Sequence, residues 1–458
     1  MGKVSLANLK KTIYYLKRNG LSAAIAAAAE RLQGYPESQA APPAASPETL
    51  CWQRQLWKEQ DCSRRFSIVV PLYRTPENFL REMIRSLIDQ TYPTWELVLA
   101  DASGTDKLRG IAESFQDPRI VYFTLEDNLG ISENTNAGIL RAAGDYIGLL
   151  DHDDLLTPDA LHEMNMAITE ASKHGTTLQM IYSDEDKCDG QAQTFFEPHL
   201  KKDFDPDLLL TNNYICHFLV MKRELMQELL LRGDYNGAQD YDLVLRAADR
   251  LLDRPELIGH VPRILYHWRC HQASTAENPQ SKLYAYEAGR RAVEDFLAKR
   301  HIPASVRHSR HLGFYQVSYT GDLFDARPDV GAVGGRICHR RKVIGGCMDE
   351  EGRALYGGLP VSFSGYLHRA VLAQDSYALD IRNLSLRKEL WGQFLEVTGV
   401  PYRTRTVSGG KQGTETEIFD CAALPRDCDW KELSLRLSKA IREQGYRLLY
   451  LPERRIDL

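Results

Sequence analysis

Several features that would place a chain in a class at once are missing from this one. No apolar run approaches the roughly 20 residues needed to cross a bilayer. The best candidate, Ala23 to Ala29, stops far short, and charged residues in the turns before it argue against a signal peptide. The 9 cysteines contain no Cys-x-x-Cys pair, and their odd number argues against a complete disulfide set, so a reducing cytoplasm is expected. Cys216 and Cys270 sit among apolar or aromatic neighbours and read as small core residues. A formal charge of -5 over 458 residues gives no pull toward nucleic acid. Neither Gly-x-Gly-x-x-Gly nor a Walker loop follows the first expected strand, and Gly409-Gly410-Lys411 lacks the upstream glycine of a phosphate loop. Dinucleotide redox chemistry and ATP hydrolysis lose ground accordingly.

An apolar content of 43% is ordinary for a globular protein, and the length leaves room for two or three domains. Residues 1–18 carry Lys3, Lys10, Lys11, Lys17 and Arg18 but no acid, with Leu6, Leu9, Ile13 and Leu16 at helical spacing. Two readings fit: a basic amphipathic helix on the inner face of the cell membrane, or a helix docked on the protein's own body. Residues 1–34 are taken as this helical region. Residues 35–64, rich at first in proline, alanine and serine, are taken as a linker. From Phe66 onward strands and helices alternate: strands at 66–72, 97–100 and 120–123, helices at 79–90 and about 132–143. That order implies an α/β fold with a mostly parallel sheet and helices on both faces.

The chemistry concentrates where one apolar run ends, at Gly144-Asp145-Tyr146-Ile147-Gly148-Leu149-Leu150-Asp151-His152-Asp153-Asp154. In extended backbone Asp151 and Asp153 project to one side. Unneutralised, two such carboxylates repel by about 4 kcal/mol at about 4 Å and an effective dielectric of about 20, so the pair calls for a divalent cation. Oxygen donors suit Mg2+ or Mn2+. The competing reading is an acidic tip in which Asp154 or Thr157 caps the next helix.

With Val69-Val70-Pro71-Leu72-Tyr73, Leu99-Ala100-Asp101-Ala102-Ser103, Asn128-Leu129-Gly130-Ile131-Ser132 and Asn136, this stretch resembles the family 2 glycosyltransferases. Tyr182-Ser183-Asp184-Glu185-Asp186-Lys187, Gln239-Asp240-Tyr241-Asp242 and Tyr266-His267-Trp268-Arg269-Cys270-His271 extend the likeness to the branch that builds bacterial surface polysaccharides such as O-antigen. The ordered set covers roughly residues 66–300. The resemblance implies a GT-A fold, a nucleotide-sugar donor, a divalent cation, a glycan or lipid-linked acceptor and inversion at the anomeric carbon. It assigns Asp101 to the donor's base, with Pro71 and Tyr73 lining that pocket, and places Asn136 on the donor side. Ala102 stands where the family often has a second acid. Asp151 and Asp153 would face ribose, metal and diphosphate. His271 would add a metal contact, with His267 as an alternative, and Arg269 would touch the diphosphate. Asp240 would be the general base, at a helix start that favours negative charge. Asp242 would orient it, and Asp184 and Asp186 would line the sugar or acceptor side.

The second half repeats part of the first. Leu219-Val220-Met221-Lys222-Arg223-Glu224 recurs as Leu384-Ser385-Leu386-Arg387-Lys388-Glu389, and Asp242-Leu243-Val244-Leu245-Arg246 as Glu432-Leu433-Ser434-Leu435-Arg436, with Pro262 matched by Pro452. Trp430 then replaces Asp240, and the chain reaches Leu458 before a counterpart of His271. The expected division is a catalytic domain at 65–305 and a degenerate, non-catalytic module at 306–458, removable by truncation near 305. Two other functions remain in play: a sugar nucleotidyltransferase, against which Pro71-Leu72-Tyr73-Arg74-Thr75-Pro76 lacks the glycine-rich basic loop, and a non-catalytic scaffold that kept the fold.

Overall fold

A computed structural model describes residues 16–33, 42–60, 62–271, 283–409, 414–425 and 427–458. The expected helix at 1–18 therefore falls almost wholly outside the described residues. The chain forms two compact units: Gln39–Phe204 with Asn213–Phe296, and Met1–Ser38 with Asp205–Asn212 and Leu297–Leu458.

The first unit is an α/β layer with the GT-A arrangement. Its strands are β1 (Phe66–Leu72), β2 (Trp95–Asp101), β3 (Ile120–Thr124), β4 (Tyr146–Leu149), β5 (Leu155–Leu156), β6 (Met180–Cys188), β7 (Phe195–His199), β8 (Leu219–Lys222) and β9 (Ile258–Arg269). They order as β3-β2-β1-β4-β8-β6-β9-β5, with β7 on β6. From β3 to β4 all pairs are parallel, whereas β8 runs antiparallel to both β4 and β6. The sequence-based strands and helices recur within a few residues. Helices α1 (Pro47–Glu59), α2 (Glu77–Ile88), α3 (Lys107–Glu113), α4 (Ile131–Arg141), α5 (Ala160–Lys173), α6 (Arg223–Leu229), α7 (Gln239–Leu251) and α8 (Leu283–Lys299) complete the chain order. β1 and β2 are buried nearly throughout, so these mostly apolar strands are covered on both faces. Gly138 lets α4 approach the sheet, since a Cβ there would meet Val69 Cγ1 at 2.6 Å.

One expectation needs correction here. Residues 47–59 are not linker but a helix, capped by Ser46, whose hydroxyl accepts from Thr49 N, with Pro47 opening its first turn. Its Trp57 is buried, donates to His162 Nδ1 at 2.9 Å and meets the Tyr92 ring edge-on. The proline-rich composition just upstream obscured this start signal.

In the second unit Val330–Gly334 lies between Leu384–Leu386, antiparallel, and Arg447–Tyr450, parallel. Helices Trp391–Thr398 and Trp430–Glu443 cover it, with Phe394, Leu437, Ile441, Leu448 and Tyr450 in the core. Asp205–Asn212 belongs to this unit. Arg327 donates to Asp207 Oδ1 at 2.6 Å, Arg447 lies 2.7 Å from Asp207 Oδ2, and Asp375 N donates to Asp205. Burial would raise the Asp207 carboxyl, yet the two guanidinium groups hold it down at about 2. A cut near 305 would therefore remove both guanidinium partners of Asp207 and uncover Leu208 and Leu209, which are 1% exposed.

Candidate active site

The acids after β4 form one cluster. Carboxylate oxygens of Asp151, Asp153 and Asp154 lie within 4.8 Å of one another. The final turn of β9 pins them: Tyr266 donates its hydroxyl to Asp154 Oδ2 at 2.5 Å, and Arg269 N donates to Asp154 Oδ1 at 2.8 Å. Burial, then Asp153 and Asp151, push the Asp154 carboxyl well above its ordinary range. Asp154 is thus a cross-link between loop and strand rather than a helix cap. His271 Nε2 lies 2.7 Å from Asp153 Oδ2. Three crowded carboxylates beside an imidazole are a donor set that a hard or borderline divalent cation fits, because it removes the repulsion that burial concentrates.

Arg269, expected at the diphosphate, is held largely by protein groups. It is fully buried, donates Nε to the Asp153 carbonyl at 2.6 Å and Nη1 to the Gly190 carbonyl at 3.0 Å, and pairs with Glu82 at 2.6 Å. A guanidinium so placed braces the acid loop through Nε and Nη1, while its buried Nη2 has no hydrogen-bond partner among the described residues.

Asp240 sits in the first turn of α7, with Asn213 and Cys216 beside it. Asn213 Nδ2 donates to its Oδ2 at 2.9 Å, and the Cys216 thiol donates to the same oxygen at 3.6 Å. Asn213 Oδ1 also accepts from Cys216 N at 3.2 Å, closing the loop on itself. Below the loop, buried Lys201 donates to the Ile215 carbonyl at 2.6 Å and to the His217 carbonyl. Glu185 balances it at 3.7 Å, also touching His199 and His217. Burial opposes this charge, but Lys201, His217 and His199 keep the Glu185 carboxyl far below its usual range. Cys216 is hence no inert core residue. Its thiol is pushed up by burial, then by the charges of Asp240 and Glu185, and Asp151 also acts on it. Cys216 Sγ also lies 3.2 Å from His217 Nδ1, so Asp240 and His217 share one thiol. The His217 ring stacks on Tyr266 at 4.5 Å, which completes the bridge to the acid cluster.

Asp101 ends β2 with no exposed surface; Ser103 N donates to Oδ1 at 2.8 Å and Tyr122 donates to Oδ2. Each carboxylate oxygen thus already has one donor. Pro71, half-buried on β1, pairs with Ala100, next to Asp101, while Tyr73 is exposed with Arg74 5.0 Å from its ring. Asn136 is also redirected: both amide ends bond Leu231 backbone, at 2.9 and 2.8 Å. Asp242 clamps Arg232 and Arg246, and Arg246 in turn binds the Leu229 and Leu230 carbonyls. These three fix the chain after α6. Asp184 accepts from Lys201 N at 2.7 Å and faces His260, and Asp186 lies 2.5 Å from His267 Nδ1. Both are buried within the sheet, which leaves His271, not His267, beside the acid cluster.

Residues 67–230 match the description "Glycosyl transferase family 2". This part of the chain is similar to that family. A curated relative, "O-antigen biosynthesis protein RfbC" of Myxococcus xanthus, is 35% identical over 252 residues, 53% of this chain and 19% of its own length. "Uncharacterized protein y4gI" of Sinorhizobium fredii is 42% identical over 239 residues, 51% of this chain and 25% of its own. The chain thus spans a quarter or less of the length of these relatives. Among solved structures, Staphylococcus aureus TarS 1-349 in complex with UDP-GlcNAc aligns with a TM-score of 0.40 at 16% identity, covering 51% of this chain and 66% of that one.

Proposed function

We propose that this chain transfers a sugar, with inversion, from a nucleotide-sugar donor to a glycan or lipid-linked acceptor in cell-surface polysaccharide synthesis. The observation that supports this reading is the unbroken run of contacts from the acid cluster to the base: Asp154 to Tyr266, Tyr266 to His217, His217 to Cys216 and Cys216 to Asp240. Asp151, Asp153 and His271 would hold a divalent cation, which when bound supplies charge to the departing diphosphate. Asp240 takes the proton from the acceptor hydroxyl as that oxygen bonds the anomeric carbon. The bond from that carbon to phosphate breaks, and its electron pair leaves with the nucleoside diphosphate. Both of the bonds from Asn213 and Cys216 fall on Oδ2, so Oδ1 is the atom that receives the proton. The second unit, with Trp430 where Asp240 would stand, is a degenerate and non-catalytic module in this reading.

The test is turnover of a nucleotide-sugar panel with Mn2+ or Mg2+, with and without acceptor extract. Asp153→Asn abolishes metal-dependent donor binding, whereas Asp240→Asn retains binding and lowers turnover by about 10²–10⁴-fold. Trp430→Ala leaves turnover per folded molecule unchanged. No metal-dependent turnover with any donor would favour a scaffold, and full turnover in Asp240→Asn would remove that residue from the mechanism.

A further inference from the structure

The helix Leu21–Gln33 of the second unit is turned inside out relative to an ordinary surface helix. At about 100° per residue, Leu21, Ile25, Ala28 and Leu32 fall within a sector of about 60°, and Glu30 lies about 180° from Leu21. The apolar stripe faces outward: Leu21 is 66%, Ile25 59% and Leu32 90% exposed. The acid faces inward. Glu30 is 5% exposed and accepts from Ser364 N at 2.9 Å, Gly365 N at 2.6 Å and Ser364 Oγ at 3.1 Å. Half-buried Ala23, Ala26 and Ala27 line the same inner side. A buried carboxylate held by three donors fixes the helix's rotation, and that rotation keeps the stripe in water.

We propose that this stripe is a membrane-surface contact, seated on bilayers rich in anionic lipid. The choice of occupant rests on charge. Residues 1–29 contain five basic side chains and no acid, and the first acid, Glu30, is the one spent on docking the helix. Lys17, Arg18 and Arg31 are exposed, with Arg18 also donating to the Ser309 carbonyl at 2.9 Å. Anionic headgroups complement these charges, while a second copy would bring like charge against them. The contact differs from the one expected over residues 1–18, and it does not depend on the sugar-transfer reading.

The test is co-sedimentation of the full chain with vesicles of phosphatidylcholine alone or with phosphatidylglycerol. Binding to the anionic vesicles is expected, weakened by salt and reduced at least about tenfold in Leu21→Ser/Ile25→Ser/Leu32→Ser. The melting temperature should hold, because the stripe is largely exposed among the described residues. Lys17→Glu/Arg31→Glu, which leaves the stripe intact, should lose the preference for anionic vesicles. Equal binding by either variant, no binding by the parent, or a dimer in light scattering that the triple substitution dissolves without vesicle binding would overturn the proposal.

Discussion

Two parts of this molecule share a frame and differ in chemistry. In the first unit β6 lies between β8, antiparallel, and β9, parallel; in the second, Val330–Gly334 lies between Leu384–Leu386 and Arg447–Tyr450 in the same senses. The ladders agree residue by residue. Met180 faces Met221 and Ile258, and Ala332 faces Leu386 and Leu448. This equates Met221 with Leu386 and Ile258 with Leu448, the alignments that a comparison of the two sequence stretches yields independently. The preceding helices bury matching positions: Val244, Ala247, Ala248 and Leu251 in one, Ser434, Leu437, Ser438 and Ile441 in the other. What differs is the helix's first turn and the loops that feed it. Asp240 meets Asn213 and Cys216, whereas its counterpart Trp430 packs against an apolar core. Strand register and inward-facing positions preserve a frame, and the surrounding loops decide whether it carries chemistry.

The most severe way to break this comparison is to treat the second set as a removable copy. Truncation after residue 305 should yield aggregated chain, because Asp207 then loses Arg327 and Arg447 and the Leu208–Leu209 surface is uncovered. Arg327→Met tests the same point within the full chain. Removing one partner of a buried pair should cost about 3–5 kcal/mol in denaturant unfolding. A soluble truncated chain with a full cooperative transition would show that the second unit is dispensable.

A smaller effect tests whether loop chemistry is what separates the two frames. Asn213→Ala should lower kcat about tenfold with donor KM little changed, since a lost hydrogen bond to a charged group costs about 1.5 kcal/mol. Cys216→Ser, which keeps a donor, should stay near the parent. A loss of stability with kcat per folded molecule unchanged would make Asn213 a structural residue only.

Much of the frame was legible from residue order. Alternating short apolar runs and helical patterns marked the sheet, and acids after an apolar strand marked the cluster, because both are local signals. Long-range partners were not. Arg269 reads as a phosphate ligand until the fold buries it behind the acid loop, and Asn136 reads as a donor contact until Leu231 occupies both ends of its amide. Cys216 looked like core filling because its apolar neighbours in sequence give no hint of Asp240, which arrives from a different element. The helix at 47–59 did have a local signal, Ser46-Pro47-Glu48, masked by the composition before it.

The finest distinction between the frames lies at His260 and its register counterpart Tyr450. His260 sits between Asp184 and Asp203, each 3.0 Å away, and stacks on Tyr182 at 4.8 Å. Burial works against its charged form, but the two carboxylates outweigh it and raise the imidazole above 6.5. A folded-state value above the unfolded one means that the charged ring stabilises the fold fully below about pH 6.5 and that this support fades as pH rises through the raised value. Tyr450, shifted upward by burial, has no titration in that range. The stability gap between the parent and His260→Gln should therefore be about 1–2 kcal/mol at pH 5.5 and shrink by pH 8.5. The corresponding gap for Tyr450→Phe should be flat over the same interval. Denaturant titrations at both pH values decide it, and a His260→Gln gap that is constant, or that widens with pH, would show that the ring is neutral in the folded state.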